Sequence, residues 1–198
     1  DFGDSKNPYI PVHDGEVQVF SKSGPEMKVL FTPGHTLGST CYLINGRYLL
    51  SGDTVFIASV GRPDLGGQAE AWAAQLYKTM GMVQQMDQSI WVLPGHYMNW
   101  EEANDDLIIT ATLADAIARN SDIYGIASEA AFVDFIQENM RPQPEEYAVI
   151  RLVNANKEEV DAERAEVLDL GKNECAASAY AKAQKAQKAA QGGKSRRR

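Results

Sequence analysis

An α/β protein is what this sequence predicts, on three observations. Five short apolar runs, at 16–20, 27–31, 40–44, 47–50 and 90–93, have the length and the flanking turn residues of strands. Segments at 68–80, 99–120 and 128–140 instead space their apolar residues three and four apart, as helices do. Three of the strand-like runs also end in a glycine turn holding a residue that can bind a metal: His35 in TPGH, Asp53 in SGD and His96 in LPGH.

Residues 1–15 are polar, with two prolines and two glycines, and read as loop; His13, beside Asp14, reads as a solvated side chain. The alternating EVQVF at 16–20 is a strand, turned by SKSGP at 21–25. The next strand, 27–31, runs into the TPGH turn. Strands 40–44 and 47–50 are joined by Asn45-Gly46, a dipeptide that favours a two-residue hairpin. The stretch 57–67, IASVGRPDLGG, is too rich in glycine for regular structure and reads as a surface loop beside the Asp53 turn. A helix over 68–80 offers Ala71, Trp72, Leu76 and Met80 for packing.

Asn99 with Glu102 three residues on forms a capping-box pattern and predicts a long helix to about Asn120. Its 107–118 stretch is apolar nearly all round, which predicts deep burial. Glu101, Glu102, Asp105 and Asp106 crowd its start. They read either as an acidic metal patch or, better, as carboxylates favoured by a helix N-terminus. Ser128 caps a further helix with Phe132, Phe135, Ile136 and Asn139 on one face, stopped by Arg141-Pro142. Pro144 suits the first turn of a short helix carrying Tyr147, Ile150 and Leu152. Residues 157–170 are charged and moderately helical, closed by Gly171. From Ala176 the chain is mostly Ala, Lys and Gln, with too little to bury to be ordered.

The 198 residues, 44% of them apolar, are enough for one core, or one domain with an appendage. No apolar run approaches the roughly 18 residues of a membrane span. The start lacks the features of a signal peptide; with no initiator Met and a loop-like beginning, it reads as the middle of a longer chain. Two cysteines are too few for a disulfide framework, so a reducing, cytoplasmic compartment is expected. Cys41, in an apolar strand, reads as core, while Cys175 lies in a more polar context. All 27 acidic residues and 12 of the 19 bases lie in 1–174, and the other seven bases lie in 175–198. Such an acidic body argues against nucleic acid as the main partner and leaves only the tail for weak contact with it. Homo-oligomerisation stays open.

A histidine in a tight Pro-Gly turn has few torsional options, which suits a ligand that must stay put. Two imidazoles and one carboxylate fit zinc, or iron in a site of two histidines and one carboxylate. Ordinary turn residues and core-bonded histidines are the competing reading. It weakens because the three turns hold two of only three histidines in the chain. A binuclear site needs more ligands than these three, and a three-ligand iron site needs one more His.

TPGHTLGST, SGDTVF and LPGH, in that order, resemble the later motifs of the metallo-β-lactamase fold superfamily. GDTVF followed by VGRPDL is most similar to the glyoxalase II and persulfide dioxygenase branch. The resemblance implies a four-layer αββα sandwich, of which this chain holds mainly the C-terminal half. It places that portion at 1–120 and a helical C-terminal extension at 121–174, and the composition sets off a basic tail at 175–198. It implies His35 as a histidine of the first metal site and Asp53 as the carboxylate that bridges two metals or binds a single iron. His96 is then the second-site ligand of the hydrolases, or a neighbour of the iron in the dioxygenases. Arg62 is implied as a substrate-side or loop-anchoring residue, with a salt bridge to Asp64 as the plain alternative. The family's first ligand motif, H-x-H-x-D-H, does not occur, so the chain reads as a fragment whose sandwich has one sheet face uncovered.

Three functions follow as expectations. The first is an Fe(II) dioxygenase acting on glutathione persulfide or a similar small persulfide, which Cys175 could also meet. The second is a hydrolase with two Zn(II) ions acting on a thioester such as a glutathione conjugate, with Asp53 and His96 as the catalytic and metal-holding pair. The third is a non-catalytic binding module.

Overall fold

The computed structural model describes residues 6–169, apart from 141, 143 and 145. The expectations for the basic tail, Cys175 and Gly171 lie outside the described residues. His13–Met140 forms a larger compact unit, and the described parts of Asp1–Val12 and Arg141–Glu174 form a smaller one.

The larger unit is mixed α/β, as its sequence predicts. Six strands, β1 (Val17–Val19), β2 (Glu26–Phe31), β3 (Thr40–Ile44), β4 (Tyr48–Gly52), β5 (Trp91–Pro94) and β6 (Ala111–Thr112), form one sheet in sequence order. Every neighbouring pair is antiparallel except β4 and β5. That parallel pair is joined through α1 (Ala69–Gln84), the crossover that parallel strands require. Asn45 and Gly46 both take left-handed backbone, φ 50° and 63°, as a type I′ turn demands. Pairing resumes with Ile44 opposite Tyr48, so the connection is three residues rather than two.

The register sorts the sheet into two faces. Leu30, Cys41, Leu43, Leu49, Val92 and Ala111 share one face and belong to the main core. Against it α1 lays Trp72, Ala73, Leu76, Met80 and Val83, buried at helical spacing. The opposite face carries Phe31, Tyr48 and Leu50, which remain 37–45% exposed. α2 (Leu113–Arg119), α3 (Ser121–Tyr124) and α4 (Glu129–Asn139) complete the core, with Phe132 of α4 against Tyr77 of α1 at 5.5 Å between ring centroids. Ser128 caps α4 as its sequence predicts. In the smaller unit α5 (Glu146–Asn154) and α6 (Ala162–Asp169) form where helix was expected, with the Asn7 side chain donating to Asn154 O at 2.9 Å.

Two expectations are corrected. The capping box at Asn99 and Glu102 exists, but it caps a single 3₁₀ turn, Trp100–Glu102, not a helix to Asn120. The Asn104 carboxamide oxygen accepts the N–H groups of Asp106 and Ile108, a local turn that competes with helix. Leu107 takes φ +61° there, and Leu107 and Ile108 are 76% and 51% exposed, not buried. β6 then pairs with β5, and Thr112 caps α2. Leu107→Gly is expected to stabilise the protein by about 0.5–1 kcal/mol, since a non-glycine residue in this region costs about 1–2 kcal/mol and glycine returns part of that as chain entropy. Chemical denaturation at constant slope measures it.

The second correction concerns 57–67. The segment is irregular, but only its end lies at the surface: residues 57–63 are buried, with Ile57, Val60 and Arg62 at most 1% exposed like Val55 and Phe56 before them, whereas 64–66 are half-buried and Gly67 is exposed. A buried loop must satisfy its backbone internally. Phe56 N–H donates to Ser59 O at 3.0 Å, Val55 bridges Val60, and the Asn120 side chain donates to Ile57 O at 3.2 Å.

Candidate metal centre

The three turn residues meet at one end of the sheet. β4 and β5 run parallel with Gly52 opposite Pro94, so Asp53 and His96 leave neighbouring strand ends on the same side. Gly95 N–H donates to Gly52 O at 2.7 Å and locks the two turns together. A Cβ at Gly95 would lie 2.6 Å from Asp53 Oδ1, so the LPGH glycine is there for space. The TPGH turn after β2 is seated on α1. Thr79 Oγ1 donates to Pro33 O at 2.7 Å, and Gly34, at φ +146°, lies against the backbone of Leu76. Beneath Asp53, the Thr32 and Thr54 hydroxyls bond each other at 3.1 Å, and Thr32 also meets the buried Cys41 thiol at 3.3 Å.

His35 is 7% exposed. Its Nδ1 lies 2.9 Å from Arg62 O, and a carbonyl can only accept, so Nδ1 carries the proton and Nε2 a lone pair. That Nε2 faces Asp53 Oδ2 at 3.4 Å. Two acceptors turned toward each other in a buried site call for a cation or a proton. Two ligands of one tetrahedral ion, each about 2.1 Å from it, lie about 3.4 Å apart, so the pair fits a shared metal ion. A backbone carbonyl on the far nitrogen is also the usual outer support of a metal-binding histidine. The other carboxylate oxygen, Asp53 Oδ1, takes the Nδ1 of His96 at 2.7 Å. The edge of Phe56 meets the His96 ring with centroids 6.2 Å apart.

The structure thus brings His35, Asp53 and His96 together, and Arg62 with them through its backbone. The Arg62 guanidinium is buried and forks onto Asp64, Nε to Oδ1 and Nη2 to Oδ2, both at 2.6 Å. Glu101, Asp105 and Asp106 are exposed, and His13 is an exposed loop residue. Among the described residues no group of three or more His, Cys, Asp or Glu side chains is arranged to hold a metal ion. His35 Nε2 and Asp53 Oδ2 are the one pair in this centre spaced as two ligands of a single ion, and two side chains alone do not complete a site. Sequence reasoning missed the Arg62 carbonyl, which has no local sequence signal, and read Glu102 from its capping-box pattern without its burial beside the site.

The two histidines differ in proton affinity. Burial pushes His35 below its ordinary value, partly opposed by the Asp53 charge. The hydrogen bond that His96 donates to the Asp53 carboxylate raises His96, against its partial burial. In the metal-free protein, His96 therefore stabilises the fold fully below about pH 6.5, and this is lost as pH rises through its raised value. His35 contributes above about pH 6.5, and this is lost as pH falls through its depressed value. An NMR titration is expected to show His96 protonating at higher pH than His35; the reverse order contradicts the geometry.

Residues 1–117 match the metallo-beta-lactamase superfamily, and the chain belongs to it. It is similar, at 31% identity over 121 residues, to a hydroxyacylglutathione hydrolase from Shewanella loihica, covering 61% of this chain and 40% of that protein. Among solved structures it resembles a metallo-beta-lactamase from Staphylococcus aureus subsp. aureus COL, with TM-score 0.67 and 27% identity over 81% of this chain and 49% of that one. It shares the fold of ETHE1 from Myxococcus xanthus, with TM-score 0.61 and 22% identity over 80% of this chain and 65% of that one. The chain spans less than two thirds of the length of each. No helix among the described residues is long and apolar enough to cross a membrane.

Proposed function

We propose that the protein is a metal-dependent enzyme of the persulfide dioxygenase kind, oxidising glutathione persulfide or a related small persulfide. The supporting observation is how Asp53 divides its oxygens. Oδ2 and His35 Nε2, 3.4 Å apart, are spaced as ligands of one ion. Oδ1 to His96 Nδ1, at 2.7 Å, is a hydrogen bond, shorter than the roughly 3.0–3.4 Å that two ligands of one ion keep. In this reading His96 orients the carboxylate, and His35 with Asp53 holds a single iron whose remaining His ligand is neither His96 nor the exposed His13, the third histidine of this sequence.

A ferrous ion held there supplies the redox chemistry and open positions for the reactants. This chain's residues do the rest. The Arg62 carbonyl keeps His35 in the tautomer with a free Nε2, and His96 fixes the plane of the Asp53 carboxylate. The buried 55–62 segment excludes water behind both. Arg62 serves the substrate side by anchoring this loop through Asp64, its own guanidinium being buried.

A second reading, a hydrolase of glutathione thioesters with two zinc ions, is favoured by the likeness to a hydroxyacylglutathione hydrolase. There His35 and Asp53 would help hold one zinc and the far nitrogen of the half-exposed His96 would help hold the other, and the ions would supply the activation of water that thioester hydrolysis needs. Metal analysis and turnover separate the readings. The proposal expects one iron per chain, with oxygen uptake on glutathione persulfide; two zincs with thioester cleavage and no oxygen uptake favour the second. Metal in neither form, with no turnover, leaves a non-catalytic binding module. His96→Ala is expected to keep its iron, and loss of the metal in this variant would sink the single-ion reading.

A further inference from the structure

Glu102 is the charged side chain most deeply enclosed near the site after Arg62, at 2% exposure. As third residue of a capping box it needs to reach only the backbone N–H of Asn99. Its Oε1 does accept that N–H, at 3.2 Å, and also accepts Met98 N–H at 2.6 Å. Its other oxygen, Oε2, is buried and makes no hydrogen bond, while the Ala58 N–H and the Arg119 charge both favour the ionised carboxylate. Met98 and Asn99 belong to the turn that follows His96. Ala58 belongs to the buried 55–62 segment, which supplies the Arg62 carbonyl to His35 and the Phe56 ring edge to His96. One carboxylate is therefore bonded to the turn that follows His96 and acted on by the segment that supports His35. The turn it caps is only three residues long, so capping alone does not account for burying a charge there.

We propose that Glu102 is a positioning residue of the metal centre, holding the His96 turn against the 55–62 segment so that His96 Nδ1 meets Asp53. Burial raises the proton affinity of Glu102, the main effect, and its backbone donors oppose it, as expected of a carboxylate kept for what it binds. The role rests on the site described above but not on which metal or reaction that site serves.

The test is nitrogen-15 NMR of the metal-free chain with Glu102→Gln and Glu102→Ala. The Gln amide keeps the shape but removes the charge and puts an NH2 donor in place of one oxygen, so that either the His96 turn or the Ala58 N–H meets a donor instead of an acceptor. Amide exchange at Met98 is expected to speed up at least about tenfold in both variants, the size of losing a hydrogen bond to a charged group. The His96 Nδ1–H signal, distinct in the parent, is expected to broaden or vanish as the ring loses its fixed partner. A folded Glu102→Gln protein that keeps the parent His96 signal overturns the proposal, even if its melting temperature falls. Should Glu102→Ala not fold, Glu102→Gln decides alone. If the parent itself lacks the His96 Nδ1–H signal, the proposal falls together with the His96–Asp53 geometry, whereas absence of turnover with the signal intact counts only against the proposed reaction.

Discussion

Asp53→Asn is expected to weaken metal binding by on the order of 100-fold or more. Loss of an outer support alone costs about 10- to 100-fold, and Asp53 is here the proposed ligand as well as the neighbour of both histidines. The same change has a signature that needs no metal. The Asp53 hydrogen bond is the main influence raising the His96 proton affinity, so in the variant His96 should fall back toward its ordinary value. His35 should move further below its own, because the Asp53 charge is what opposes its burial. Metal titration by calorimetry and histidine titration by NMR check the two halves separately. Parent-like titration of both histidines in Asp53→Asn would mean that the carboxylate does not organise this centre.

Gly61→Ala is expected to cost about 2–3 kcal/mol, the upper part of the range for forcing an extra carbon into a packed interior. At about 2–4 °C per kcal/mol for a chain of this size, the melting temperature should drop by roughly 5–10 °C. The reason is local: a Cβ at Gly61 would overlap the carbonyl oxygen of Asp53 and sit 3.0 Å from His35 Nδ1. Neither can yield without moving a residue of the centre, so the variant should also lose metal affinity. Gly81→Ala is the control. Gly81 lies within α1 with nothing within 4 Å of a Cβ there, and alanine should stabilise the helix by up to about 1 kcal/mol. Equal melting temperatures for the two variants would show that Gly61 is not tightly enclosed.

Much of this protein was legible locally. The β2, β3 and β4 runs, the Asn45-Gly46 turn, α1 and the cap at Ser128 depend on neighbours a few residues away, and the chain shows those neighbours directly. The Gly turns that hold His35, Asp53 and His96 belong to the same class. The convergence of Asp53 and His96 follows from β4 and β5 being parallel neighbours joined through α1, a pairing that the strand-end motifs do not themselves encode. The stretch after Asn99 was not readable in the same way. Its apolar spacing suited a helix, but β6 exists because Ala111 and Thr112 pair with Val92 and Trp91, a contact that no local pattern encodes. Burial of 55–62 was hidden for a similar reason. Glycine-rich composition reports a lack of regular structure, and only packing against Asn120 and Glu102 reports where the segment lies.

By itself, then, the sequence determined the α/β class, the family and the residue types offered at each strand end, because these follow from short-range propensity and motif order. Tertiary structure alone decided which atoms face each other. It turned His35 Nε2 toward one oxygen of Asp53 and His96 Nδ1 toward the other. It also recruited the Arg62 carbonyl and the Glu102 carboxylate. Those choices depend on the close packing of segments far apart in the chain, where a few tenths of an ångström separate a hydrogen bond from a ligand pair.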